Sequence, residues 1–174
     1  MSAAPLWVVR AARPDDLADM LVMRDEAGPG FTSLQVDDDA IAARLSQSGR
    51  SFAAQIDAPG TERYVLVLEN IRDRRAVGMA GVKAAIGVAT PFYNFRILKI
   101  AQVSAAERRR FDMDVLILVN EFHGSSEVGS LFVRAASRAA GVGRLLAQTR
   151  YMMMAAAPER CSCTLPVMRF TRSR

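Results

Sequence analysis

Arg138, Gly141 and Gly143 make an R-x-x-G-x-G spacing between the apolar run Leu131-Phe132-Val133 and a segment whose apolar residues recur every three or four positions. A strand, a small-residue turn and a helix are expected there. The chemistry on offer is anion binding. Glycines leave the backbone bare, and the first helical turn carries N–H donors without intrahelical acceptors at the positive end of the helix dipole. The same glycines suit a turn that does nothing but turn, so the spacing alone leaves both roles open. Upstream, alternation along Glu127, Gly129, Leu131 and Val133 predicts one shared face that carries a carboxylate toward the turn.

Other chemistries find little support. Cys161 and Cys163 are the only cysteines and His123 is the only histidine, so no metal-ligand spacing can be assembled. Ser125 and Ser126 lie near His123, yet no G-x-S-x-G elbow exists to present a nucleophilic serine. Asp37-Asp38-Asp39 suits the positive end of a helix better than a metal site.

The elements that must position the turn fit one domain. The chain has 174 residues, 51% hydrophobic and 24% charged, enough for a single core and too few for two. Its formal charge of +5 is misleading. Arg169, Arg172 and Arg174 supply three of those charges, and upstream of them only Arg108-Arg109-Arg110 is clustered, as a solvated turn would be. Nucleic acid is therefore not an expected partner. With no secretory signal pattern and no apolar run long enough for a membrane span, the expected location is cytoplasmic.

In chain order, Leu6 to Val9 predicts a strand. Pro14, Asp15 and Asp16 then open a helix that Gly28 ends. Asp37 to Asp39 open a second helix, with Ile41, Leu45 and Ser48 on one face. Tyr64 to Glu69 is a nearly continuous apolar run, expected to be covered on both sides, and forms a hairpin with Ala76 to Ile86. Ile97 to Val103 and Val115 to Val119 are further strand-like runs, and Ser125 to Val133 leads into the turn. After Gly143, Leu145, Leu146, Thr149, Met152, Met153 and Ala156 keep helical spacing, so the Met-Met-Met run is expected in the core. From Cys161 the character changes: CSCTLPVMRFTRSR has three arginines and no acid, with at best one short strand.

This order of elements, closing in R-x-x-G-x-G and a helix, resembles the GNAT superfamily of acyl-CoA N-acyltransferases. A finer resemblance is to the arginine N-succinyltransferase family. It rests on Phe31-Thr32-Ser33-Leu34, the Tyr64 to Glu69 strand, Pro91-Phe92-Tyr93-Asn94-Phe95-Arg96, Ser126-Glu127-Val128-Gly129-Ser130-Leu131-Phe132, and Arg150-Tyr151-Met152-Met153-Met154-Ala155-Ala156. The resemblance implies an α+β fold with a mixed, mostly antiparallel sheet flanked by helices. Residues 1–160 would correspond to the N-terminal half of the family chain. Residues 161–174 do not resemble its next strand, and the expectation is a frameshifted or truncated basic tail that leaves a sheet edge open.

The implied reaction is transfer of a succinyl group from succinyl-CoA to the α-amine of L-arginine, with no metal. Leu131 and Val133 would line the pantetheine arm, and Arg138, Ala139, Gly141, Val142, Gly143 and Arg144 would hold the pyrophosphate. Glu127 is the candidate base, with a structural salt bridge at a strand end as its other role. Arg96 is the candidate partner of the succinyl carboxylate, or else a loop-pinning arginine. The alternative function is a non-catalytic remnant or subunit that binds acyl-CoA, or only folds, without turnover. A homo- or hetero-oligomer is compatible with either.

Overall fold

A computed structural model describes residues 7–162, together with the backbone of 167–168. The chain runs β1 (Trp7–Ala11), α1 (Leu17–Ala27), α2 (Asp38–Ala53), β2 (Arg63–Asn70), β3 (Arg75–Lys83), β4 (Asn94–Ser104), β5 (Arg109–Val119), β6 (Glu127–Val133), α3 (Val142–Ala156) and β7 (Val167–Met168). The main sheet has the order β1-β2-β3-β6-β7, antiparallel except for the parallel β6–β7 pair. As the apolar run predicts, six consecutive residues of β2 are buried. Helices cover both faces. Met20, Met23, Ile41 and Leu45 from α1 and α2 pack on Val65, Val67, Met79 and Phe132. On the other face, Val142 and Leu146 of α3 pack on Leu66, Leu68, Ala80 and Val133. Within the Met run only Met153 and Met154 join the packing, because the α3 stripe turns Met152 outward, where it is 66% exposed.

Polar side chains fix the helices to the sheet. A 3₁₀ turn at Pro14–Asp16 leads into α1, and buried Asp16 accepts 2.8 Å hydrogen bonds from both terminal nitrogens of Arg10 and one of 2.7 Å from the Arg13 amide. Asp19 accepts from the Ala76 amide at 2.8 Å, which ties α1 to β3. Asp37 caps α2 by accepting from Ala40 N–H at 2.7 Å, and Ser48 Oγ accepts from the Val65 amide at 2.8 Å.

Two departures from the sequence pattern matter. In β6 the register shifts opposite Met79 and Gly81, where Ser130 has a φ of 53°. One extra residue is inserted there, a β-bulge. It breaks the predicted alternation: Val133 turns to the α3 face, and Phe132 takes the face of Glu127 and Gly129. The second departure is the β4–β5 ribbon. These strands pair only with each other, from Asn94↔Val119 to Ser104↔Arg109, and stand apart from the main sheet. Arg109 and Arg110 open β5 and are exposed, as a solvated cluster requires.

At the C-terminal end, Cys161 is buried against Tyr64, Val82 and Val128, and the Ser162 amide donates to Ser126 Oγ at 2.7 Å. Val167 and Met168 then pair with Glu127 and Val128. The sequence allows at best one short strand here and predicts an open sheet edge; Val167–Met168 instead covers that edge at Glu127 and Val128. The rest of the expected aberrant tail lies outside the described residues. Among these residues no helix is long and apolar enough to cross a membrane.

Candidate functional site

The turn before α3 is built by backbone needs that the sequence meets locally. Arg134 N–H donates to Val77 O at 2.8 Å as the chain leaves β6, and a 3₁₀ turn spans Ala135–Ser137. Gly141 then caps α3 at a φ of 85°, a conformation other residues adopt only under strain. Val142 N–H is taken by Ala139 O at 3.2 Å and Leu145 N–H by Gly141 O at 2.8 Å. Gly143 and Arg144 thus keep the first-turn amides that helix geometry leaves without an intrahelical acceptor. A Cβ on Gly141 or Gly143 would meet nothing within 4 Å, so neither glycine is required by crowding. Arg138 Nε donates to Val133 O at 2.9 Å, and its guanidinium lies 5.9 Å from the Phe132 ring centre, which holds a charged fork beside the turn.

A cavity of about 410 Å³ faces this turn, lined by Leu131, Phe132, Val133, Arg138, Ala139 and Gly143, with Phe31 opposite. Phe31 and Leu131 are also walls of a second cavity of about 690 Å³. The two cavities thus share Phe31 and Leu131 as walls and lie side by side along β6. Beside them the outer edge of β6 from 129 to 133 has no partner strand among the described residues, since β7 covers only Glu127 and Val128. The bulge at Ser130 breaks the ladder there and leaves main-chain groups available to a ligand.

The larger cavity ends at a row of charges. Arg63, Lys83 and Glu127 are direct neighbours across β2, β3 and β6. Lys83 Nζ donates to Glu127 Oε2 at 2.6 Å, and the Glu127 side chain is only 7% exposed. Arg44 reaches in from α2, with Nη1 donating to Ser33 O at 2.5 Å, and Arg150 from α3, with Nη1 donating to Gly129 O at 3.2 Å. Among the described residues, four cations line this cavity and Glu127 is its one carboxylate. Burial, and then the neighbouring Arg63, push the Arg44 guanidinium below its ordinary pKa. Burial likewise lowers that of Arg150.

Of the residues expected from sequence, Leu131, Val133, Arg138, Ala139 and Gly143 line the smaller cavity and Glu127 lines the larger. Gly141, Val142 and Arg144 build the helix start, with Val142 buried and Arg144 exposed. Arg96 is not brought to either cavity. It is exposed on β4, where it pairs with Glu121. Lys83, Arg44 and Arg63 carry no local motif. Even the hairpin misleads, because a register shift at Leu68/Glu69 offsets Arg63 and Lys83 by one residue from a count back from the turn. Among the described residues no group of three His, Cys, Asp or Glu side chains could hold a metal ion.

A helix-covered antiparallel sheet with a bulged strand, a glycine turn and a helix following it is a fold that solved acetyltransferases share. At the level of fold alone, a Trypanosoma brucei acetyltransferase aligns with a TM-score of 0.51 at 14% identity, covering 96% of this chain and 84% of that one. The chain belongs to the arginine N-succinyltransferase family: residues 7–167 match the family described as arginine N-succinyltransferase beta subunit. An arginine N-succinyltransferase of Yersinia pestis (strain Pestoides F) is 31% identical over 148 residues, 85% of this chain and 42% of that relative. The structure of arginine/ornithine succinyltransferase subunit AI from Pseudomonas aeruginosa superposes with a TM-score of 0.83 at 28% identity, over 91% of this chain and 48% of that one. This chain therefore spans less than half the length of these two succinyltransferase relatives.

Proposed function

We propose that the chain provides the acyl-CoA half of a cytoplasmic succinyltransferase that moves a succinyl group from succinyl-CoA to the α-amine of L-arginine. The observation that carries this reading is the pair of cavities that share Phe31 and Leu131 along the bulged strand β6, one lined by Gly143 at the start of α3 and the other by Glu127. The pyrophosphate sits at the α3 N-terminus beside Arg138, and the pantetheine arm runs past Leu131 and Val133. The thioester reaches the bulge, where a main-chain N–H is placed to steady the oxyanion. The α-amine attacks the thioester carbonyl carbon, the C–S bond breaks, and CoA leaves as the thiolate. Glu127, held by Lys83 Nζ at 2.6 Å, accepts the proton lost by the amine, directly or through water.

A second reading has its own support: the matched family is described as a subunit. In that reading the chain holds acyl-CoA, and turnover requires another chain, as a homo- or hetero-oligomer. Titration of the purified chain with succinyl-CoA and acetyl-CoA, followed by an assay of arginine-dependent CoA release with a thiol reagent, separates the two. Binding with release supports the transferase, and binding without release supports the subunit. Failure to bind either thioester rejects both.

A further inference from the structure

We propose that Arg44 and Arg63 form a carboxylate clamp that selects a substrate by its free carboxylate. The proposal rests on the acyl-transfer reading and assigns the specificity of that same cavity. Each of the other cations lining it is already engaged. Lys83 is held by Glu127, and Arg150 spends Nε on Ala147 O and Nη1 on Gly129 O. Arg44 spends one donor on Ser33 O, and a guanidinium carries about five N–H donors. No ion pair among the described residues involves either Arg44 or Arg63.

Their placement is unfavourable without an anion. Arg63 lies directly across the ladder from Lys83, whose charge Glu127 balances, so the uncompensated repulsion is between Arg63 and Arg44. Arg44 adds a third cation above them from α2, in a pocket that also lowers its proton affinity. A bound carboxylate relieves both guanidiniums at once, and two planar forks suit its two oxygens. The chemistry fits either the terminal carboxylate of a dicarboxylic thioester or the α-carboxylate of an amino-acid acceptor. A guanidinium on the acceptor must then point away from this wall.

The test uses the whole chain with Arg63→Met and Arg44→Met, which alter different elements, and Arg63→Lys, which keeps the charge without the fork. Circular dichroism confirms folding. Calorimetric titrations compare succinyl-CoA with acetyl-CoA, L-arginine with agmatine in the presence of CoA, and succinate alone. Each Met variant is expected to weaken the carboxylate-bearing ligand by roughly tenfold or more and its carboxylate-free counterpart by less than about twofold. Arg63→Lys should fall between. Loss confined to the succinyl-CoA and acetyl-CoA pair assigns the clamp to the donor, and loss confined to the arginine and agmatine pair assigns it to the acceptor. Equal effects on both members of each pair, or none, overturn the clamp while leaving acyl-CoA binding intact. If neither thioester binds the unaltered chain, acyl transfer fails, and succinate decides the clamp: binding that Arg63→Met removes supports it, and no binding overturns it.

Discussion

Glu127 and Lys83 tie β6 to β3, and the proposed reaction asks Glu127 to accept a proton as well. Glu127→Gln keeps the shape but removes the proton acceptor. In a chain that turns over, arginine-dependent CoA release should drop by about a hundredfold or more, with CoA affinity changed less than about threefold. An unchanged rate with a lowered melting temperature would leave Glu127 a purely structural partner of Lys83. Asp16 makes a separate prediction at the same scale. Burial alone would raise its pKa, but the hydrogen bonds from Arg10 and the Arg13 amide outweigh that and hold the carboxyl below its ordinary 3.8. A depressed folded pKa means that the unfolded chain binds the proton first. The stabilisation is therefore present above 3.8 and is lost as pH falls through the lower folded value. Asp16→Asn should cost about 3 kcal/mol at neutral pH and flatten the acid limb of urea-denaturation stability between pH 5 and 2, to be measured at roughly half-unit steps. An unchanged acid limb would show that Asp16 is not the group responsible. Arg138, Gly141 and Gly143 were legible in the sequence because a turn and its cap are made by neighbours in the chain. Arg44, Arg63 and Lys83 were not, because a cavity wall is made of residues far apart in sequence.

At the scale of elements, the helices and central strands follow the apolar spacing closely, from the α2 face of Ile41, Leu45 and Ser48 to the fully covered β2. The bulge in β6 defeats the same logic. Alternation counts residues and cannot register an inserted one, so Val133 was expected beside Glu127 and instead packs under α3. Gly78 marks how closely α3 and β6 approach β3. A Cβ there would stand 2.9 Å from Phe132 O and 3.2 Å from both Leu146 Cδ2 and Val133 Cγ2. Gly78→Ala should destabilise the chain by about 1–3 kcal/mol in denaturant titrations, because a main-chain oxygen cannot give way as a side chain does. No loss of stability would mean that β3 and β6 lie further apart than described.

Across the whole molecule, the β4–β5 ribbon is the part that sequence patterns describe least well. Its strands were visible as apolar runs, but their exposure was not, since Ile97 at 66% and Leu116 at 64% look like core residues in any local pattern. Ile97→Thr and Leu116→Lys are expected to shift the melting temperature by no more than about 2 °C and to raise solubility. A drop of many degrees would show the ribbon packed rather than exposed. Residue-resolved amide hydrogen exchange with and without CoA tests the proposed cofactor path from α3 to Glu127 most directly. Slowed exchange at Gly143, Arg144 and the open edge of β6 from 129 to 133 is the predicted result. Unchanged exchange at both places under saturating CoA would contradict it.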